Sequence, residues 1–258
     1  MAYIPLHSAS RSVSAGPDLQ DLRTAQGKKP QMRRYDVAAL LLNGDTRQIR
    51  QVAPALPLFE DAFCAFARGS LVETQHGPLA IEDILPGDRI LTASGHLEPV
   101  LWIGTTTVQP GQTTASRRDL RLTRFMADSF GMARPMSDVI TGPAARVLHT
   151  PEHLRALSAG AQVLTPVQAF QDGVNVIETT PPTPVQLYHI CLERHAVIRV
   201  GGLEMETYHP GPALLRTASH AMRGLFLNLF PHLGTLSDFG LLAYPRSGDG
   251  QADSISAA

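Results

Sequence analysis

Residues 63–71 read FCAFARGSL, and Cys64 within them is the chain's clearest candidate for covalent chemistry. A thiolate attacks a carbonyl carbon when a base takes its proton and donors hold the developing oxyanion. His195, in LERHAVIRV, is the polar member of an otherwise apolar strand, and it has two readings: a hydrogen-bonded structural residue or a proton-transfer group. Cys191 lies far from Cys64 without CxxC or CxxH spacing, so neither a zinc cage nor a redox compartment follows from the pair. His189, Glu193 and His209 show no metal-ligand spacing, and no metal ion or other cofactor is expected. A hydrolase built on another site would need a G-x-S-x-G, HExxH or P-loop element, and none is present.

The scaffold that must position such a centre has ordinary globular composition. A chain of 258 residues buries a sizeable core without disulfide or metal support. Charged residues make up 17%, hydrophobic residues 43%, and the net charge is -1, which excludes a disordered or nucleic-acid-coating chain. The opening MAYIPLHSASRSVSAGPD lacks the uninterrupted apolar stretch of a signal peptide, and VAALLL at 37–42 is too short to span a bilayer. The expected compartment is therefore the cytoplasm, with leaderless export as the alternative. A partner, if there is one, is expected to be a protein.

Residues 1–34 are polar and basic and read as a flexible arm, with GKKPQMRR better explained as a solvated stretch than as a nucleic-acid patch. From Tyr35 short apolar runs alternate with turn signals. Asn43-Gly44-Asp45 and Ser94-Gly95-His96 mark hairpins, so 35–212 reads as a β domain. IEDILPGDRIL at 81–91 reads as one helical turn stopped by Pro86-Gly87 and followed by a strand. The region 110–137 reads as a strand and then an apolar turn of helix, while PPTP at 181–184 must be a loop because proline cannot donate to a sheet ladder. Leu214, Ala218, Met222, Leu225 and Leu229 recur at helical spacing, which predicts an amphipathic helix over 213–233 packed on the β domain. Residues 234–258 read as a partly disordered tail.

Several phrases occur together in one order: FCAFARGSLVETQHGPLAIEDILPGDRILT, EPVLWIG, DVITGPAARVL, VLTPVQAFQDGVNVIE and LYHICLERHAVIRVGGLEMETYHPGP. Over roughly Ala53 to Pro212 this resembles the bacterial Hint (Hedgehog/intein) domain. The resemblance implies a mostly β, horseshoe-shaped fold with internal pseudo-twofold symmetry. It also implies self-cleavage: a first-position Cys or Ser attacks the preceding carbonyl, and a [TS]-x-x-H element assists proton transfer at the scissile amide.

Carried over residue by residue, the resemblance puts the nucleophile position on Ala65, the Thr/Ser position on Gly142 and the histidine position on Ala145. Cys64 is one residue away, and in extended chain a one-residue slip turns a side chain to the opposite face unless a bulge intervenes. Thr150-Pro151-Glu152-His153 also spells [TS]-x-x-H, but eight residues out of register. Two readings result. The leading one is a Hint domain lacking self-cleavage chemistry and serving as a structural or interaction module. The alternative is an active autoprocessing domain in which Cys64 performs an N-to-S acyl shift and cleaves the Phe63-Cys64 bond, aided by Thr150 and His153 or by His195.

Overall fold

The computed structural model describes residues 31–109, 121–152, 161–211 and 218–247. Strand β1 (Met32–Leu40) turns through Asn43-Gly44-Asp45 into β2 (Thr46–Pro54). The Asn43 side-chain oxygen accepts the Asp45 N–H, and Gly44 takes a φ of 85°, which a side chain would resist. Then follow β3 (Phe66–Ala67), β4 (Leu71–Thr74), β5 (Gly77–Ala80), β6 (Arg89–Leu91), β7 (Leu97–Val108), β8 (Leu122–Phe125) and β9 (Val139–Thr141). The rest are β10 (Arg146–His149), β11 (Val163–Pro166), β12 (Val176–Thr179), β13 (Val185–Leu192), β14 (Val197–Val200) and β15 (Leu203–Glu206).

The fold is mostly β, and every named strand pairing is antiparallel. The order is β11-β10-β15-β14-β4-β6-β7-β13-β3-β9-β8-β12, with β1 bridging β2 and β7, and β5 on β4. Long β7 joins two halves: Leu97–Pro99 pair with β6, and Val100–Val108 pair with β13. One core, holding Ala65, Phe66, Phe125 and Ile198, lies on one side of these strands. A second core holds Phe59, Phe63, Cys64, Trp102 and Phe230.

The second core is closed by the C-terminal part of the chain. Helix α1 (Pro57–Glu60) leads into the 63–67 segment, and helix α2 (His220–Leu227) starts at Ser219, whose hydroxyl accepts the Met222 N–H. Past α2, Phe230 stacks on Trp102 with ring centroids 4.7 Å apart, and Trp102 Nε1 donates to the Leu229 carbonyl at 2.7 Å. This places a buried indole donor on a partner, as buried tryptophans require. The helix expected over 213–233 is thus described only as these eight residues and the turns after them, since 212–217 fall outside the described residues.

The structure departs from the sequence reading in three places. Strand β1 takes in Met32, Arg33 and Arg34, because Arg33 has buried partners in Glu60 and the Thr107 carbonyl. Residues 126–137 form turns in place of a helical turn: Asp128 and Ala133 have φ of 62° and 57°, and the Asp128 carboxylate accepts the Ala133 N–H. Residues 234–247, assigned to the tail, are packed, since Phe239 meets Phe230 at 5.0 Å and Arg246 reaches a buried carboxylate. Residues 1–30 and 248–258 lie outside the described residues. Among the described residues no helix is long and apolar enough to cross a membrane.

Gly104 marks how tightly β7 carries the second core. A Cβ there would lie 2.2 Å from a Trp102 ring carbon and 2.5 Å from a Phe63 ring carbon. Gly104→Ala is therefore expected to destabilise the protein by about 3 kcal/mol, as overpacking does. A urea-denaturation midpoint equal to wild type would contradict this packing.

Candidate functional site

The positions that the resemblance assigns to chemistry meet at one peptide bond. After α1, the Cys64 N–H donates to the Glu60 carbonyl at 2.9 Å, which ends the helical turn and delivers the chain to β3. The Cys64–Ala65 peptide is then held from both sides. Its N–H donates to the Tyr188 carbonyl at 3.1 Å, and its carbonyl accepts the Ala144 N–H at 3.0 Å. One step on, the Ala65 carbonyl accepts the Gly142 N–H at 2.7 Å.

Gly142 packs on this peptide directly. A Cβ there would lie 2.1 Å from the Cys64 carbonyl oxygen and 2.7 Å from its carbon, a separation real side chains do not adopt. Ala145, whose N–H returns to the Gly142 carbonyl at 3.2 Å, is buried in the same core as Ala65. The fold thus gathers Ala65, Gly142 and Ala145 around one bond. None of the three carries a nucleophile, a hydroxyl or an imidazole.

The Cys64 side chain lies in the other core, beside Phe63 and Ala67, while Ala65 and Phe66 face the first. The thiol is fully buried, and burial pushes its pKa well above the ordinary value, with the Glu60 charge adding to the rise and Arg33 opposing it. A nucleophilic thiol needs the opposite environment, in which the thiolate is stabilised. Arg33 Nε donates to Glu60 Oε1 at 3.1 Å, so the neighbouring charges are engaged with each other.

The other candidates are dispersed. Thr150 lines a surface cleft with Phe130, Arg134, Leu148, His149, Gln162 and Glu204, and His153 lies outside the described residues. His195 is buried and committed at both ring nitrogens. Nδ1 accepts the Ala243 N–H at 2.9 Å, so Nε2 carries the proton it gives to Glu206 Oε1 at 2.9 Å. Glu206 also receives Arg246 Nε at 2.8 Å and has Arg146 Nε 3.6 Å from its other oxygen. Burial alone would raise the Glu206 pKa, and His195 and Arg246 outweigh it and hold the carboxylate low. The sequence reading did not single out Glu206, because Glu204 two residues before it shares the same surroundings in GLEMETYH and is not buried.

The residues that clamp the Cys64–Ala65 peptide sit inside a recognised family boundary. The family model for the Hint domain matches residues 64–212, more than half of the chain. The chain belongs to the Hint domain family. No curated protein matches it. Among solved structures it is similar to a bacterial intein-like domain from Clostridium thermocellum, with 16% identity over 57% of this chain and 99% of that one and a TM-score of 0.38. It is also similar to the MchDnaB-1 intein, with 16% identity over 56% of this chain and 100% of that one and a TM-score of 0.32.

Within the Hint domain, His189 is the histidine beneath the 61–66 segment. It meets the Phe66 ring edge-on at 5.4 Å, and its Nδ1 lies 3.2 Å from the Asp61 carbonyl, an acceptor, so Nδ1 donates. Burial lowers its pKa to about 4, and burial followed by the His195 ring lowers that of His209 to about 4 as well. Both folded values lie below the unfolded value near 6.5, so the unfolded chain takes up these protons first. The stability they contribute is complete above about pH 6.5 and lost as pH falls towards 4.

Two outcomes are expected. The urea midpoint falls steadily between pH 6.5 and 4.5, and His189→Gln flattens that fall; an unchanged pH slope in the variant would remove His189 from the account. Gly142→Ala lowers stability by about 3 kcal/mol, since the group it strikes is backbone and cannot rotate away. Equal thermal midpoints for Gly142→Ala and wild type would show that the Cys64–Ala65 peptide is not pressed against residue 142.

Proposed function

We propose that this Hint domain no longer cleaves itself and acts as a structural or interaction module. One observation carries the reading: Gly142 rests directly on a Cys64–Ala65 peptide whose N–H and carbonyl are both hydrogen-bonded to backbone. The residue that would attack is an alanine methyl, and the residue that would move the proton, Ala145, is another. Backbone donors alone stabilise a developing oxyanion, but without a nucleophile there is nothing to develop it. Members of a catalytic set do not substitute for one another, so losing all three leaves only background hydrolysis of the amide. Cys64 does not repair the set, because its thiol faces the other core and is held protonated by burial.

The test is intact-mass spectrometry of freshly purified wild type and Cys64→Ala, each incubated with and without hydroxylamine and dithiothreitol. Both chains are expected to stay at full length in every condition. A wild-type fragment beginning at Cys64, missing from Cys64→Ala and increased by thiol or hydroxylamine, would instead establish an acyl shift onto Cys64 and make the protein an autoprocessing enzyme.

A further inference from the structure

Residues 244–247 sit on the domain as an extended peptide would, and three kinds of contact hold them. Tyr244 packs on the small core of Leu148, Leu164 and Val197. Strand β11 ends the sheet path, and its outer edge is taken by this segment: the Leu164 N–H donates to the Pro245 carbonyl at 2.9 Å, and the Leu164 carbonyl accepts the Ser247 N–H at 3.0 Å. Leu164 and Arg246 thereby form a parallel bridge. Arg246 turns inward. Its Nε donates to Glu206 Oε1, its Nη2 donates to the His209 carbonyl at 2.7 Å, and Nη1 lies 2.6 Å from where a Gly211 Cβ would stand.

Sheet edges recognise extended peptides in this way, with main-chain pairing supplying affinity and a side-chain pocket supplying selectivity. The pocket fits a planar fork that reaches a carboxylate and a carbonyl at once, which arginine offers and lysine does not. The Glu206 carboxylate is only 3% exposed, and a buried charge stripped of a partner is costly, so the pocket favours being filled. The glycine at 211 leaves room for the guanidinium, and its φ of 73° suits no other residue well.

The geometry points to a peptide-recognition slot, formed by the β11 edge and the Glu206 pocket, that takes an extended polypeptide segment with an arginine two residues after an aromatic one. Residues 244–247 fill it in cis. A partner segment of the same chemistry competes with them, so the chain's own C-terminal part governs access. This gives the interaction-module reading its partner class and rests on that reading for its biological sense alone; the slot itself does not involve Ala65, Gly142 or Ala145.

Fluorescein-labelled peptides AYPRS and AYPKS are titrated by anisotropy into full-length wild type, Arg246→Ala and Arg246→Ala combined with Glu206→Gln. Circular dichroism checks folding, and intact mass on the same samples reports self-cleavage separately. The expected result is that Arg246→Ala binds AYPRS at least tenfold more tightly than wild type, binds AYPKS at least tenfold more weakly than AYPRS, and loses AYPRS when Glu206→Gln is added. Equal binding of the two peptides, no binding to folded Arg246→Ala, or dimerisation without peptide uptake each overturns the proposal. Should Arg246→Ala fail to fold, Arg246→Lys, which keeps the charge without the fork, takes its place under the same criteria.

Discussion

The Cys64–Ala65 peptide is clamped by backbone on both sides, and the two hydrophobic cores meet across it. Strand β13 supplies the Tyr188 carbonyl, and the 142–145 turn supplies the Ala144 N–H. Because both partners are main chain, the clamp fixes the register of 63–67 without calling on any side chain. Phe63, Cys64 and Ala67 then fall to the core that holds Trp102, and Ala65 and Phe66 to the core that holds Ile198. A shift of one residue would carry Cys64 into the place of Ala65 and bring a thiol where a methyl now packs.

The same clamp links the small residues to one another. With the Cys64 carbonyl where it is, a side chain at 142 has no space, and Ala145 is buried in the same core as Ala65. On the proposed reading, Ala65, Gly142 and Ala145 are one packed unit, in which each small residue is what lets the next approach. Restoring a thiol at 65 alone would leave it without a base, and restoring a hydroxyl at 142 alone would displace the carbonyl that the thiol must attack.

Local signals were the legible ones. Asn43-Gly44-Asp45 and the PPTP loop declare themselves because glycine, asparagine and proline act on their own backbone. The gathering of 65, 142 and 145 was legible only through a register carried by motif phrases on either side. The rival Thr150-x-x-His153 had just two fixed positions behind it, and Thr150 lines a cleft that includes neither Cys64 nor His195. Arg246 was hidden for a different reason. Its segment, GLLAYPRS at 240–247, has neither strand alternation nor helical spacing, and the carboxylate that orders it is 40 residues away in sequence. A hydrogen bond between distant residues leaves no periodicity to read.

Burial of charge connects these two regions. Glu206 belongs to the family-matched stretch and Arg246 lies beyond it, so the Hint domain completes its own buried carboxylate with a residue outside its boundary. His195 and His209 are drawn into the same arrangement, since each gives its Nδ1 to a backbone N–H, of Ala243 and Gly211 respectively. An imidazole used this way is a structural acceptor, and its Nδ1 is occupied by the backbone it helps to order. The histidine most visible in the sequence as a possible base is thus engaged in ordering the C-terminal segment, and the clamp at Cys64–Ala65 is left with backbone groups alone.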